Sequence, residues 1–395
     1  MNKKKLFTIF LSVSLALPSL AGCGDKDTDT QGTPSITQGA PEDTNGAQGD
    51  NAGDSGADGE TGNPDEDGNP ADGTGDGSSE GTTAPAIEIQ HTRDLSNPNA
   101  SEKAQLIYDY LCSVGGQGII SGVEESPGAA SANSEIQYLK RVADKYPALR
   151  GLDFINDDFD GVVKRAIFWG NDMKGLVTIG WHWGTPPDGI GYESSKGSVD
   201  MDELLTEGSD LYNAMIAQMD VAAESLKELQ DAGVVVLWRP FHEFDGQWFW
   251  WGKGGSEKFI ALWRLMYDRY TNYHGLNNLI WVLGYSDQVK KDWYPGDEYV
   301  DICGADSYKS GTRSALYKVV SGYAAEGMPI PLHECAKIPD PDKLQEEGVN
   351  WTWFMTWTIS YLKENTKEDL EAIFHHDYVI TLDELPDFDA LLAGE

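Results

Sequence analysis

Val234-Val235-Val236-Leu237-Trp238-Arg239-Pro240-Phe241-His242-Glu243-Phe244-Asp245-Gly246-Gln247-Trp248-Phe249-Trp250-Trp251-Gly252 decides how the rest of the chain is read. Its first four residues are apolar and mostly β-branched, the composition of a buried strand. The strand then stops at polar chemistry. Arg239, His242 and Glu243 fall within five residues, and four aromatics follow from Trp248 to Trp251. Burying ionisable groups beside a core strand is costly unless they are paired and used. Flat aromatic faces beside a carboxylate suit a site that grips a sugar ring and breaks a bond to it.

Working outward, seven further stretches read as strands: 118–123, 149–154, 175–183, 279–285, 300–308, 329–335 and 351–357. Between them run helical patterns. Ala104, Ile107, Tyr108 and Leu111 share one face, ended by Gly115-Gly116. Leu211, Met215, Met219, Ala222, Leu226 and Leu229 share another, closed by Gly233. Phe259, Leu262, Trp263, Met266 and Tyr270 form a third, and Thr366 with Asp369 caps a last helix. Eight apolar strands alternating with helix-length connections predict parallel βαβ units closed into a (β/α)₈ TIM barrel over 87–395, with no second folded domain.

Such a barrel carries its site at the C-terminal strand ends. There the sequence places Trp181-His182-Trp183, His242-Glu243, Asp306-Ser307-Tyr308, His333-Glu334 and Trp357. Glutamates at the ends of strands four and seven are the pair that glycosidic cleavage requires. One gives a proton to the leaving oxygen, and the other attacks the anomeric carbon or activates water. Taken singly, either glutamate could be a structural ion pair with Arg239. Trp238, Trp263 and Trp281 read as core. Trp248, Trp250, Trp251 and Trp357 are candidate sugar platforms, two of which could instead pack a loop.

Rival chemistries fail on spacing. A zinc helix needs a second histidine four residues on, but Gly246 follows His242 and Lys337 follows His333 at that distance. Gly284-Tyr285-Ser286-Asp287-Gln288 lacks the last glycine of a serine nucleophile elbow. Cys303 and Cys335 lie in apolar runs and read as core residues rather than ligands. No metal or cofactor is called for.

The net charge of −36 divides unevenly. Residues 24–86 hold 15 acidic side chains and one basic one, and 87–395 hold 50 acids against 25 bases. Both parts would repel a phosphate backbone, which excludes nucleic acid as a partner and favours a neutral substrate. Residues 24–86 are Gly, Asp, Thr, Ser, Asn and Pro, with too little apolar surface to offset the entropy of ordering. They are expected to be a disordered acidic tether reaching about 45 Å. Residues 1–22 read as an address: Lys3, Lys4 and Lys5, then an apolar stretch from Leu6 to Leu20. Leu20-Ala21-Gly22-Cys23 resembles the bacterial lipobox, which implies cleavage before Cys23 and lipidation of its thiol. The expected product is a monomer, lipid-anchored on the outward side of the cell envelope.

Arg239-Pro240-Phe241-His242-Glu243 followed by Gly246-Gln247-Trp248-Phe249-Trp250-Trp251-Gly252 resembles the signature of glycoside hydrolase family 26, best known for endo-β-1,4-mannanases. Supporting patterns extend the resemblance from Asn97-Pro98-Asn99-Ala100 to Tyr378–Pro386. It implies a (β/α)₈ barrel, a retaining double displacement and β-mannan or a related plant polysaccharide as substrate. The family also contains β-1,3-xylanases and mixed-linkage β-glucanases. Carried over by position, the resemblance implies Glu243 as acid/base and Glu334 as nucleophile. It further implies substrate-binding roles for His182, Arg239, His242, Trp248 and Trp357, and a hydrogen bond from Tyr308 to the nucleophile.

Overall fold

The computed structural model describes residues 87–127 and 132–394. The expected signal segment, the lipidation site Cys23 and the acidic tether lie outside those residues. Eight parallel strands close on themselves as predicted: β1 (Ile119–Glu124), β2 (Leu149–Asp153), β3 (Leu176–Gly180), β4 (Val236–Arg239), β5 (Leu279–Tyr285), β6 (Ile302–Asp306), β7 (Leu332–Cys335) and β8 (Trp353–Thr356). Each pairs with the next, and β1 pairs with both β2 and β8, which shuts the barrel. A short ninth strand, β9 (Val379–Ile380), pairs with the start of β1, before β2 has begun to pair there.

The two faces of the strands bury different partners, as expected when strand side chains alternate. One set, including Leu149, Leu176, Leu237, Ile280, Val282 and Ile302, fills the barrel interior. Ile107, Tyr108 and Leu111 of helix Glu102–Val114 join that interior cluster, so the first helix plugs one end of the barrel. Tyr108 also donates to the carbonyl of Asp301 at 2.8 Å. The other set packs outward against the helices, among them Asp210–Asp231 and Ser256–Asp268. Trp238, Trp263 and Trp281 are fully buried there, as is Cys303. Helix Lys367–Phe374 begins at Thr366, whose side chain accepts from the backbone N–H of Asp369. The β5–β6 crossover departs from the predicted pattern, carrying only short 3₁₀ turns at Lys291–Trp293 and Asp297–Tyr299.

Two irregularities set the mouth of the barrel. After β4 the chain turns with Phe241 and Glu243 both in the left-handed region, at φ +52° and +53°. Neither is glycine, and such strain is characteristic of functional sites. The Glu243 N–H donates to Gly284 O at 2.8 Å, tying the turn to β5. Along β7, Leu332 pairs with Ala305 while Glu334 pairs with Asp306, so two β7 residues advance against one of β6. A bulge of this kind re-aims a side chain. His333 fills the interior, where only Gly304 leaves room: a Cβ there would lie 2.6 Å from its Nε2. Glu334 is thereby free to face the mouth.

Candidate active site

The strand ends converge on a cleft of about 480 Å³ lined by His182, Tyr192, His242, Glu243, Phe249, Tyr308, Glu334, Trp357 and Tyr361, among others. One carboxylate oxygen each from Glu243, Asp306 and Glu334 lies within 4.8 Å of the other two. Three carboxylates so close could hold a divalent cation. Here the positive charge comes from the chain itself. Arg239 bonds to Glu334 through Nη2, and its Nη1 lies 3.3 Å from Asp306 Oδ2. Burial works against the Arg239 charge, but Glu334, Asp306 and Glu124 outweigh it and hold the guanidinium protonated. Arg239 is only 1% exposed. It is not among the residues that line the cleft and reaches them through Glu334, where the resemblance implied a substrate-binding role.

The two glutamates are held differently. Glu334 accepts from the Tyr308 hydroxyl at 2.6 Å as well as from Arg239. Burial, then Glu334 and Glu243, push the Tyr308 phenol well above its usual range, so it stays a donor. The carboxyl of Glu243 is pushed up to about 8, first by burial and then by the charge of Glu334. Trp248 Nε1 donates to Glu243 Oε2 at 2.9 Å and opposes that rise. Gly246 makes the contact possible, because a Cβ there would come within 2.0 Å of the Trp248 ring.

The remaining aromatics divide. Trp357 lines the cleft, its ring 5.5 Å from that of His182. Trp250 and Trp251 are fully buried and are not sugar platforms. Trp250 Nε1 donates to Trp183 O at 2.8 Å, and Trp251 Nε1 donates to His242 O at 2.9 Å. They fasten the loops after β3 and β4 to each other and to the outer core. His182 and His242 meet through their Nε2 atoms at 3.1 Å. Burial, with His182, Arg239 and His333 nearby, holds His242 neutral.

Residues 96–384 match the model for glycosyl hydrolase family 26. The chain belongs to that family. It is 34% identical over 326 residues to a mannan endo-1,4-β-mannosidase of Thermothelomyces thermophilus, covering 77% of this chain and 65% of the relative. A ruminal GH26 endo-β-1,4-mannanase superposes with TM-score 0.71 at 30% identity, covering 78% of this chain and 73% of that one. A β-mannanase from a symbiotic protist of the termite Reticulitermes speratus, solved with gluco-manno-oligosaccharide, superposes with TM-score 0.67 at 29% identity, covering 76% and 99%. The alignments take in 51% to 65% of the lengths of three curated relatives.

This family 26 site also uses residues that sequence reasoning missed. Asp306 was visible at a strand end but carried no assigned role. Asp153, the last residue of β2, binds His182. Glu124, the last residue of β1, is buried with Oε1 unpartnered among the described residues. Burial above all pushes its carboxyl well above the usual range. Asp153 and Glu124 close β2 and β1, so the strand-end rule that exposed Glu334 applies to them once the strand ends are known. Tyr192 lies in a five-residue helix, Gly191–Ser195, too short to show a periodic signal.

A pH prediction arises here. Any reaction that draws on the Glu243 proton should slow as pH rises through about 8, read as kcat/KM. Trp248→Phe removes the hydrogen bond that favours the ionised carboxylate, so that alkaline limb should move to higher pH. A limb that stays in place, read from full pH–rate profiles of both proteins, contradicts the assignment. The linked stability runs the same way. The folded pKa is raised from 4.5 to about 8, so its contribution is intact below the lower value and is lost progressively up to the higher.

Proposed function

We propose that the chain is a retaining glycoside hydrolase that cleaves β-1,4-mannosidic bonds in mannan-type polysaccharides. The glutamate pair carries this reading. Oxygens of Glu243 and Glu334 lie within 4.8 Å, one carboxyl held neutral and the other gripped by Arg239 and Tyr308. That spacing fits a direct displacement by carboxylate, which needs about 5–5.5 Å between carboxyls. An inverting enzyme needs roughly 6.5–9.5 Å to admit a water.

In the first step Glu334 attacks the anomeric carbon and the glycosidic C–O bond breaks. Glu243 delivers its proton to the departing oxygen. In the second, Glu243, now ionised, takes a proton from water. The water oxygen bonds to the anomeric carbon and the bond to Glu334 breaks. Electrostatics support the exchange of roles: once Glu334 is esterified its negative charge is gone, which removes one cause of the raised Glu243 pKa.

The relatives' names favour mannan, and the termite-symbiont structure was solved with gluco-manno-oligosaccharide. Incubation with mannan, galactomannan, xylan and lichenan, with products sized, tests the reading. Short manno-oligosaccharides from the mannans are expected. Turnover of xylan or lichenan alone would reassign the substrate, and binding without turnover would make the chain a capture protein.

The address is part of the proposal. The lysine-led apolar leader and Leu20-Ala21-Gly22-Cys23 support a lipid-anchored enzyme facing outward from the cell envelope, held at the end of an acidic tether. Cys23→Ser should shift the protein out of the membrane fraction, and undiminished membrane retention would contradict the anchor.

A further inference from the structure

Asp153 takes no part in the two steps above, yet its carboxylate is fully engaged. Oδ1 accepts from the backbone N–H groups of Ile155 and His182, each at 2.8 Å. Oδ2 accepts from His182 Nδ1 at 2.5 Å. The opposite ring nitrogen of His182 meets Nε2 of His242, and the next residue in the chain is Glu243. We infer that Asp153 is a positioning residue for Glu243, acting through the His182–His242 pair by fixing which ring nitrogens carry protons.

The proton order follows from the partners. A carboxylate accepts, so His182 Nδ1 carries a hydrogen. Only one hydrogen fits between the two Nε2 atoms. His242 Nδ1 is buried and unpartnered among the described residues, and a bare buried acceptor is tolerated better than an unpaired buried N–H. His242 is held neutral, so its single hydrogen sits on Nε2 and points at His182. The chain therefore runs from Asp153 through a His182 that donates at Nδ1 and accepts at Nε2, to a His242 that donates.

The consequence for Glu243 is mechanical. The His242 ring is pinned by His182 and packs 5.2 Å from the ring of Phe249, while its carbonyl is pinned by Trp251. The left-handed Glu243 backbone thus starts from a peptide fixed on both sides. Asparagine at 153 reverses the order. Its amide oxygen would keep the two backbone N–H groups, and its NH₂ would face His182 Nδ1. That nitrogen must then lose its hydrogen, His182 must carry it on Nε2, and His242 must expose an unpaired N–H at Nδ1.

The inference rests on the glycosidase reading, and two readouts on the full chain keep the two separate. Acid assistance matters for a sugar leaving group but little for dinitrophenolate. Asp153→Asn should therefore lower kcat/KM on a manno-oligosaccharide on the order of 10–100-fold. On 2,4-dinitrophenyl β-mannobioside the loss should be under about threefold. Equal losses on both substrates would overturn the inference. Asp153→Ser should reproduce the pattern, which keeps the test open should the asparagine variant fold poorly. Imidazole ¹⁵N spectra form the second readout and need no turnover. His182 should carry its hydrogen on Nδ1 in the parent and on Nε2 in Asp153→Asn, and an unchanged tautomer would also overturn the inference. A parent that hydrolyses neither substrate sinks the activity reading, and the spectra still decide the positioning.

Discussion

Glu334→Ala is expected to lower turnover of β-mannan by a factor on the order of 10⁴ or more while leaving oligosaccharide binding measurable. The size follows from what is removed. The nucleophile splits one difficult displacement into two easier ones, and no other carboxylate can replace it. Asp306 lies within 4.8 Å but is buried beneath the mouth at 1% exposure, and in the proposed mechanism Glu243 is committed to proton transfer. The other residues that line the cleft, Trp357 and Tyr192 among them, remain. Binding should therefore survive by calorimetry with mannohexaose. Reducing-sugar release within tenfold of the parent would contradict the assignment.

Arg239→Met should carry the largest cost to the fold. Removing the guanidinium strands Glu334 and Asp306 in a buried setting, where breaking one side of an ion pair costs about 3–5 kcal/mol. For a domain of this size that is roughly a 10 °C fall in melting temperature. Activity should suffer separately. Without the guanidinium, Glu334 loses the hydrogen bond that holds its carboxylate in place, so turnover should fall as well. Arg239→Lys should recover only part of either loss, since one compact ammonium cannot reach two carboxylates as a planar fork does. Thermal melts and turnover rates of both variants check this, and Arg239→Met melting with the parent would contradict it.

Most of the barrel was legible because its strands are short apolar runs whose ends turn abruptly polar. The pattern located all eight strands and both glutamates. It was weaker at boundaries: β3 stops at Gly180, so Trp181, His182 and Trp183 leave the ladder and enter the mouth and outer core. The bulge in β7 was invisible, since a two-residue period cannot show an extra residue that turns His333 and Glu334 to the same side. Arg239 illustrates a different limit. Its place beside Glu243 in sequence suggested the cleft, but its side chain crosses the barrel to β6 and β7, a contact decided by closure. Trp250 and Trp251 sit beside Trp248, yet they are fully buried. A run of aromatics does not announce which ring faces solvent. Asp153 carries no motif: a lone aspartate at a strand end has no sequence signal.

The most direct measurement of the central claim uses a 2-deoxy-2-fluoro-β-mannobiosyl fluoride. The electronegative 2-fluoro group slows both steps, while fluoride departs without needing a proton from Glu243. A covalent glycosyl-enzyme should therefore accumulate with one mannobiosyl group per chain. Digestion and mass spectrometry should place that sugar on Glu334. A label on Glu243, or no adduct together with release of the α-anomer from mannan, would contradict the double displacement.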